Sequence, residues 1–403
     1  MEPFEGDKAC PIPEPMRNRV GTLLFLSGLF FLSFLARMVF APLMPSLENE
    51  LGLTHSEAGS LFLMISIGFF VAQVNSGFIS SKFEHRGALV VSALGVGGAL
   101  LVFPFAHSLT AIRISLVVLG FAAGLHVPSA LATITAMVSR RDWGKALGIH
   151  QTAPNVALVL APLLVQAFAG WFSWRGIVGW LGVVSLAGAF AFIFNARCGE
   201  FTGHPPAPAM VKRIAREPSV WLMMSLFAMA IGGSLGLYTM LPLFLVSERG
   251  FDPGWANTLL GLSRISGLFV VFIAGWATDR LGEPRAIAGV LFASGVATLL
   301  LGCTTGGFLT LMIFVQPALA ACFFPPGFSA LSRIVPPNMR SLTASLVTPC
   351  GFLVGGGMVP AFLGYMGEDV SFTAGLLILG SLMLTAPLLT RFLHFRQDGE
   401  NGC

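Results

Sequence analysis

The chain has 403 residues, 55% of them hydrophobic and only 10% charged, with a net charge of +4 and a mean hydropathy of +0.81. Soluble domains carry about 25% charged residues, so this much apolar surface excludes a water-soluble fold and makes the bilayer the solvent. The basic residues sit in short loops rather than in one patch, which gives no sign of nucleic acid as a partner.

Residues 1–19 form a polar, proline-rich tail (PIPEP) ending on Arg17 and Arg19. The apolar run after it is too long for a signal-peptide core and has no small-residue cleavage site, which predicts a retained helix. Twelve apolar runs follow, near 20–44, 57–81, 87–106, 109–138, 146–170, 174–195, 219–245, 256–278, 286–303, 307–331, 342–364 and 372–393. Each is long enough to cross a core of about 30 Å as a helix. None alternates as a strand would, and a lone helix satisfies its own backbone, so the expected class is all-α integral membrane.

Run one carries Arg37, a permanent cation among apolar residues, with Pro42 and Pro45 marking a helix end nearby, from which the competing reading is that the side chain snorkels to the outer interface. Run two holds Gln73 and Asn75 and leads into Gly77–Arg86 (GFISSKFEHR). Run four has Arg113 near its start, read as interfacial, and His126 at mid-run, two residues before Pro128. A proline frees a helix carbonyl, and histidine titrates near neutral pH. His126 is therefore a candidate coupling-proton group, with a packing histidine as the competing reading. In run five, His150 is read as structural. Gln151 and Asn155 are four apart on one face, placed either to orient a substrate oxygen or to clasp a neighbouring helix.

The longest polar stretch, Arg197–Pro218, divides the runs six and six. It reads as a linker with a short surface helix at Val211–Arg216 and a solvated His204. The expected parts are a tail at 1–19, a bundle at 20–196, the linker at 197–218, a second bundle at 219–395 and a tail at 396–403. Run seven contains Gly232-Gly233, Gly236 and Tyr238, whose hydroxyl is expected in a cavity or an aromatic belt. Run eight contains Arg264, run ten Gln316 and run eleven Gly355-Gly356-Gly357. The glycines read as close-packing or flexing points. No Walker or dinucleotide pattern, catalytic constellation or metal spacing accompanies them. No cofactor or metal is expected, and the chain is not expected to be an enzyme. The six cysteines show no CxxC spacing and read as free or packed thiols.

With the N-terminus inside, eighteen Lys and Arg fall in cytoplasmic segments and three (Arg113, Arg175, Arg249) in outer ones. The positive-inside bias therefore predicts that both termini are cytoplasmic. The halves also echo each other. Gly77–Arg86 matches Gly275–Pro284, and Pro128 matches Pro326, both at an offset of 198. Repeated six-helix halves predict a two-bundle carrier with its site between the bundles.

On these residues the chain resembles the major facilitator superfamily of secondary transporters, over nearly its whole length. Its most specific element is GWATDRLGEPR, Gly275–Arg285, similar to the superfamily's cytoplasmic signature. Locally, Gly275 would permit a close helix approach, Asp279 would cap or pair at a helix end, and Arg280 would bind helix carboxyl ends. The N-terminal copy has Ser81 where an acid is expected, followed by Lys82, His85 and Arg86. Trp174-Arg175 and the RRDWGKA stretch from Arg140 to Ala146 are further resemblances. The resemblance implies that Gly77, Lys82, Arg86, Gly275, Asp279, Arg280 and Arg285 latch the outward-open state. It also implies that the first, second, fourth and fifth helices of each half line the cavity. The uncommon polar residues obey that division, and the first-helix arginine resembles that of the organic-phosphate and anion–cation symporter branches.

Buried cations mark substrate paths, and the planar guanidinium fork suits carboxylate or phosphate. The expectation is alternating-access transport of a small organic anion, a mono- or dicarboxylate, by proton symport or anion exchange. Arg37 and Arg264 would bind the anion, Gln151, Asn155 and Tyr238 would orient it, and His126 would carry a proton. The expected partners are that anion and the bilayer, in a bacterial inner membrane, with no obligatory protein partner. Efflux of a drug-like or siderophore-like compound, and a non-transporting sensor on the same scaffold, stay open at this point.

Overall fold

The computed structural model describes residues 13–196, 198–203, 205, 208–336 and 339–395. Cys10, Cys403, His204 and the tail at 396–403 lie outside them. Ten helices among the described residues are long and apolar enough to cross a membrane. One of these, His55–Phe105, reverses at Glu84 (φ 58°, ψ 169°) and so makes two crossings. Pro253–Leu281, 29 residues or about 43 Å long, makes another. The crossings are α1 (Met16–Leu51), α2 (55–83), α3 (85–105), α4 (Leu109–Met137), α5 (Trp143–Phe168), α6 (Trp174–Asn195), α7 (Pro218–Glu248), α8 (Pro253–Leu281), α9 (Glu283–Cys303), α10 (Gly306–Arg333), α11 (Leu342–Asp369) and α12 (Phe372–Thr390). With twelve crossings, the chain ends and the linker share one face, the base. The opposite face is the far face.

The even-numbered helices begin on the far face, and their sequences say so. Thr54 and Glu57 form a reciprocal capping box on α2 (3.1 and 3.0 Å). Ser108, Ser173, Asp252 and Ser371 each accept a backbone N–H at the start of α4, α6, α8 and α12. The helices are also broken at matched depths. α4 breaks between Gly124 and His126, just before Pro128, and α10 breaks at Cys322-Phe323, just before Pro326. α1 breaks at Val39. α7 and α11 widen into π-helical turns at Gly232–Gly236 and Val354–Met358, and these turns pack on each other. A Cβ added at Gly355 would lie 2.5 Å from the Gly232 amide nitrogen, so the glycines are close-packing points between α7 and α11.

The linker carries a helix at Pro208–Ala215, and its first residues dock on the α2–α3 turn. The His85 and Arg86 amides donate to the carbonyls of Phe201 (3.1 Å) and Gly199 (2.8 Å). Cys198 is half-buried beside this contact, and the desolvation pushes its thiol up to about 11.

Candidate substrate site between the two bundles

Arg37 stands two residues before the α1 break and is 4% exposed. Its guanidinium lies over the rings of Phe34 (4.8 Å) and Phe69 (4.3 Å), and its Nε has no hydrogen-bond partner among the described residues. The first crossing runs on to Leu51 rather than ending near residue 44. The proline-marked end that would let Arg37 reach the interface is therefore not there, and the arginine is an interior residue. A small cavity, with about 20 Å³ of room for the centres of water-sized spheres in this conformation, lies against it. Met38 and Ser66 of the N-terminal half and Leu235, Thr239 and Gly356 of the C-terminal half complete its wall.

Arg264 is 8% exposed. It donates to the Ser234 carbonyl (3.2 Å) and covers the Tyr238 ring at 4.6 Å. The π turn of α7 explains this grip, because widening a helix releases carbonyls from their usual partners. Arg264 takes that of Ser234, and Gln316 Nε2 takes that of Gly233 (2.7 Å). Both arginines thus reach the same stretch of α7, residues 234–239, from different halves. Neither has a carboxylate partner among the described residues. Stacking on aromatic rings contributes about 0.5–2 kcal/mol, less than the cost of burying a guanidinium. The site is short of negative charge.

Tyr238 differs from expectation. Its hydroxyl donates across the halves to the Leu158 carbonyl of α5 (3.2 Å), so in this conformation it is a clasp and a platform for Arg264 rather than a free donor. Gln151 and Asn155 are not gathered at the arginines. Asn155 donates back to the Gln151 carbonyl (3.4 Å), and both are exposed, so the interhelical clasp is not made either. They lie on the α5 face that, further up, packs on α8: a Cβ at Gly261 would meet Leu163 at 2.8 Å. Below that contact the face continues through Asn155, Gln151, Gly148 and Gly144, all exposed.

The bonds between halves lie from mid-depth to the far face. Asn257 donates to the Pro42 carbonyl (3.2 Å), and the His55 amide donates to Glu368 (2.8 Å). Together with the exposed lower face of α5, they describe a carrier closed at the far face and open toward the base.

His126 is 1% exposed and stacked on Phe30, with ring centroids 5.3 Å apart, and His150 lies on the same ring at 4.7 Å. His150 is fully buried with neither ring nitrogen bonded, so the histidines form a pair. The separate reading of the two missed this. The shared signal was that each lies on a cavity-side helix of one half.

The signature residues sit at the base. Arg86 donates to the carbonyls of Ile193 (3.0 Å) and Ala196 (3.3 Å) at the end of α6, the carboxyl-end role that was expected of Arg280. Lys82, Asp279 and Arg285 are exposed, and Arg280 lies over Trp276 at 4.3 Å. Nothing stands within 4 Å of a Cβ built at Gly275, so the close approach predicted there is not made in this conformation. Gly77 is half-buried in lower α2. The ion pair that ties the C-terminal base is Glu283–Arg333 (2.8 Å), which sequence reasoning passed over, as it did Asn257. Asn257 lies seven residues before Arg264, on the same helix face, and that spacing was legible.

A two-bundle helical fold around a basic cavity defines a membrane carrier scaffold. The Major Facilitator Superfamily model matches residues 26–315, and the chain belongs to that family as an integral, multi-pass membrane protein. Among curated proteins it is 24% identical to the membrane sensor protein UhpC of Salmonella typhimurium, over 85% of this chain and 81% of that one. It is 25% identical to the probable sulfoacetate transporter SauU of Cupriavidus necator, over 94% and 95%. Among solved structures, a bacterial homolog of the human lysosomal transporter Spinster superimposes with a TM-score of 0.79 at 15% identity, covering 93% of this chain and 96% of that one.

Proposed function

We propose that the protein transports a small organic anion, a mono- or dicarboxylate or a close relative, by alternating access. One observation carries this reading: two buried guanidiniums from opposite halves face one stretch of α7 without a carboxylate partner among the described residues. An anion held by both would draw the halves together, the step a rocking carrier needs. SauU, whose name specifies a small organic anion, supports the class of substrate. His126 is the proposed proton carrier. An anion that neutralises the Arg37 charge and a proton that arrives at His126 would reinforce each other. Gln151 and Asn155 serve as contacts on the way to the base, which we place in the cytoplasm of a bacterial inner membrane. The two bundles, 20–196 and 219–395, are the proposed moving bodies, and the base signature residues are the proposed latch of the outward-open state.

The test is thermal stabilisation of the purified protein by a panel of carboxylates, sulfonates, phosphates and common drugs, followed by flux of the best ligand in proteoliposomes. Stabilisation by an anion, lost in Arg37→Gln and Arg264→Gln, is the expected result. Stabilisation by bulky neutral or cationic compounds that ignores both substitutions would overturn it. The likeness to UhpC favours a second reading as a sensor, which predicts anion binding without flux.

Orientation has its own test. Cys303 is exposed at the far-face end of α9. A variant keeping only Cys303 is expected to react with a membrane-impermeant maleimide on intact cells. One keeping only Cys198, half-buried at the base, is expected to stay unlabelled until the cells are opened.

A further inference from the structure

A second cavity lies wholly inside the N-terminal half, among α1, α3, α4 and α6. It leaves about 10 Å³ for the centre of a water-sized sphere, room for one water, and is lined by Leu29, Ser33, Ser92, Val96, His126 and Ser185, among others. None of these residues lines the Arg37 cavity. Four of its polar atoms, the hydroxyls of Ser33, Ser92 and Ser185 and the Nε2 of His126, are buried without a protein partner. The residues themselves are 4%, 1%, 3% and 1% exposed. The His126 ring is held on its other side by the Leu26 backbone and by its stacking on Phe30.

Serine in a membrane helix usually bonds back to the carbonyl four residues earlier, as Ser27 does to Leu23 at 2.8 Å in the same helix. Three serines that forgo this and line one cavity with a histidine nitrogen are not explained by packing. Each polar group buried without a partner costs about 1–3 kcal/mol. A water molecule makes about three hydrogen bonds in such a place. Three hydroxyls, which donate and accept, and one ring nitrogen match the two to four bonds of about one water.

We propose that this cavity is a built water site: bound water bridges Ser33, Ser92, Ser185 and His126 Nε2 inside the N-terminal bundle, walled off from the substrate cavity. The water gives the imidazole a partner for proton exchange that the anion never touches. The water site stands independently of the transport reading, whereas its use in proton exchange rests on that reading.

Radiolytic hydroxyl-radical footprinting of the detergent-solubilised protein tests it, because radicals born from bound water label the side chains around it. Label is expected on His126 and Leu29 at several times the level on Leu181, which is as buried as Leu29 at 5% but lines neither cavity. Ser92→Val, which fills the site, is expected to remove that label at least threefold. Ser185→Ala, a smaller change should Ser92→Val fold poorly, is expected to lower the melting temperature by about 2 °C through loss of a water-mediated bond. Background label at His126, or a melting temperature that holds or rises when the hydroxyl is removed, would mean a dry void and overturn the proposal. Neither readout requires flux, so a chain that moves no anion leaves the water site standing.

Discussion

Arg37→Gln is expected to weaken anion binding about 100-fold while leaving the unliganded protein folded and no less stable. Two charge-assisted bonds of about 1.5–3 kcal/mol each are at stake, and truncating one partner of a buried charge pair costs about 2–5 kcal/mol. At about 1.4 kcal/mol per tenfold, the range of 2–5 kcal/mol spans about 30-fold to 4,000-fold, and 100-fold lies in its lower part. The unliganded state moves the other way. Its guanidinium is buried over Phe34 and Phe69 with Nε unbonded, so removing the charge relieves a desolvation cost. A lower affinity together with an unchanged or higher melting temperature is therefore the signature of a residue kept for its ligand. Arg37→Lys keeps the charge without the fork and should fall between. Titration calorimetry with the ligand found by the thermal panel reads this directly, and full affinity in Arg37→Gln would remove Arg37 from the site. Arg264→Gln should lose binding and stability together, because it also frees the Ser234 carbonyl and uncovers Tyr238.

Gly355→Ala is expected to lower the melting temperature by about 5 °C or more and to cut the yield of folded protein, whereas Gly356→Ala, one residue along, changes little. The added methyl at 355 would stand 2.5 Å from the Gly232 nitrogen and 2.6 Å from the Ala228 carbonyl oxygen. Both are backbone atoms in a helix that cannot yield locally, so α7 and α11 must separate. Overpacking costs about 1–3 kcal/mol even where side chains can shift. At Gly356 the nearest atom is the Ser66 hydroxyl at 3.7 Å, an ordinary contact. At Gly357 the Ser66 Cβ would lie at 2.6 Å, so alanine there should again be costly, this time between the halves. Thermal unfolding of the three single variants checks the alternation. Equal tolerance at 355 and 356 would show that the π turns do not hold the helices together.

The fold was legible because membrane helices announce themselves: twelve apolar runs, a bias of basic residues and a repeated loop need no long-range information. The first run shows where this stops. It reads as ending near Pro42 and Pro45, yet the helix restarts after Val39 and continues to Leu51: Pro42 falls in the first turn, where a proline costs no hydrogen bond, and Pro45 is carried inside the helix. Arg37 and Arg264 were legible as residues, since a cation in an apolar run has few innocent explanations. Their surroundings were not. The grip of Arg264 on Ser234 depends on a π turn that the GGSLG sequence permits but does not declare. Tyr238 bonds a carbonyl 80 residues away in the chain. Gln151 and Asn155 share a face, as their spacing requires, but whether that face meets a helix or water depends on how far apart the bundles stand.

The matched breaks in α4 and α10 have a consequence for how such proteins diversify. Each half bends at the same depth before an equivalent proline, Pro128 or Pro326, but only the N-terminal break carries a histidine; Phe324 follows the other. Backbone pliancy is duplicated while polar chemistry is not. A lineage can therefore retune what it recognises by exchanging a few side chains on one bundle, leaving the shared machinery of movement intact.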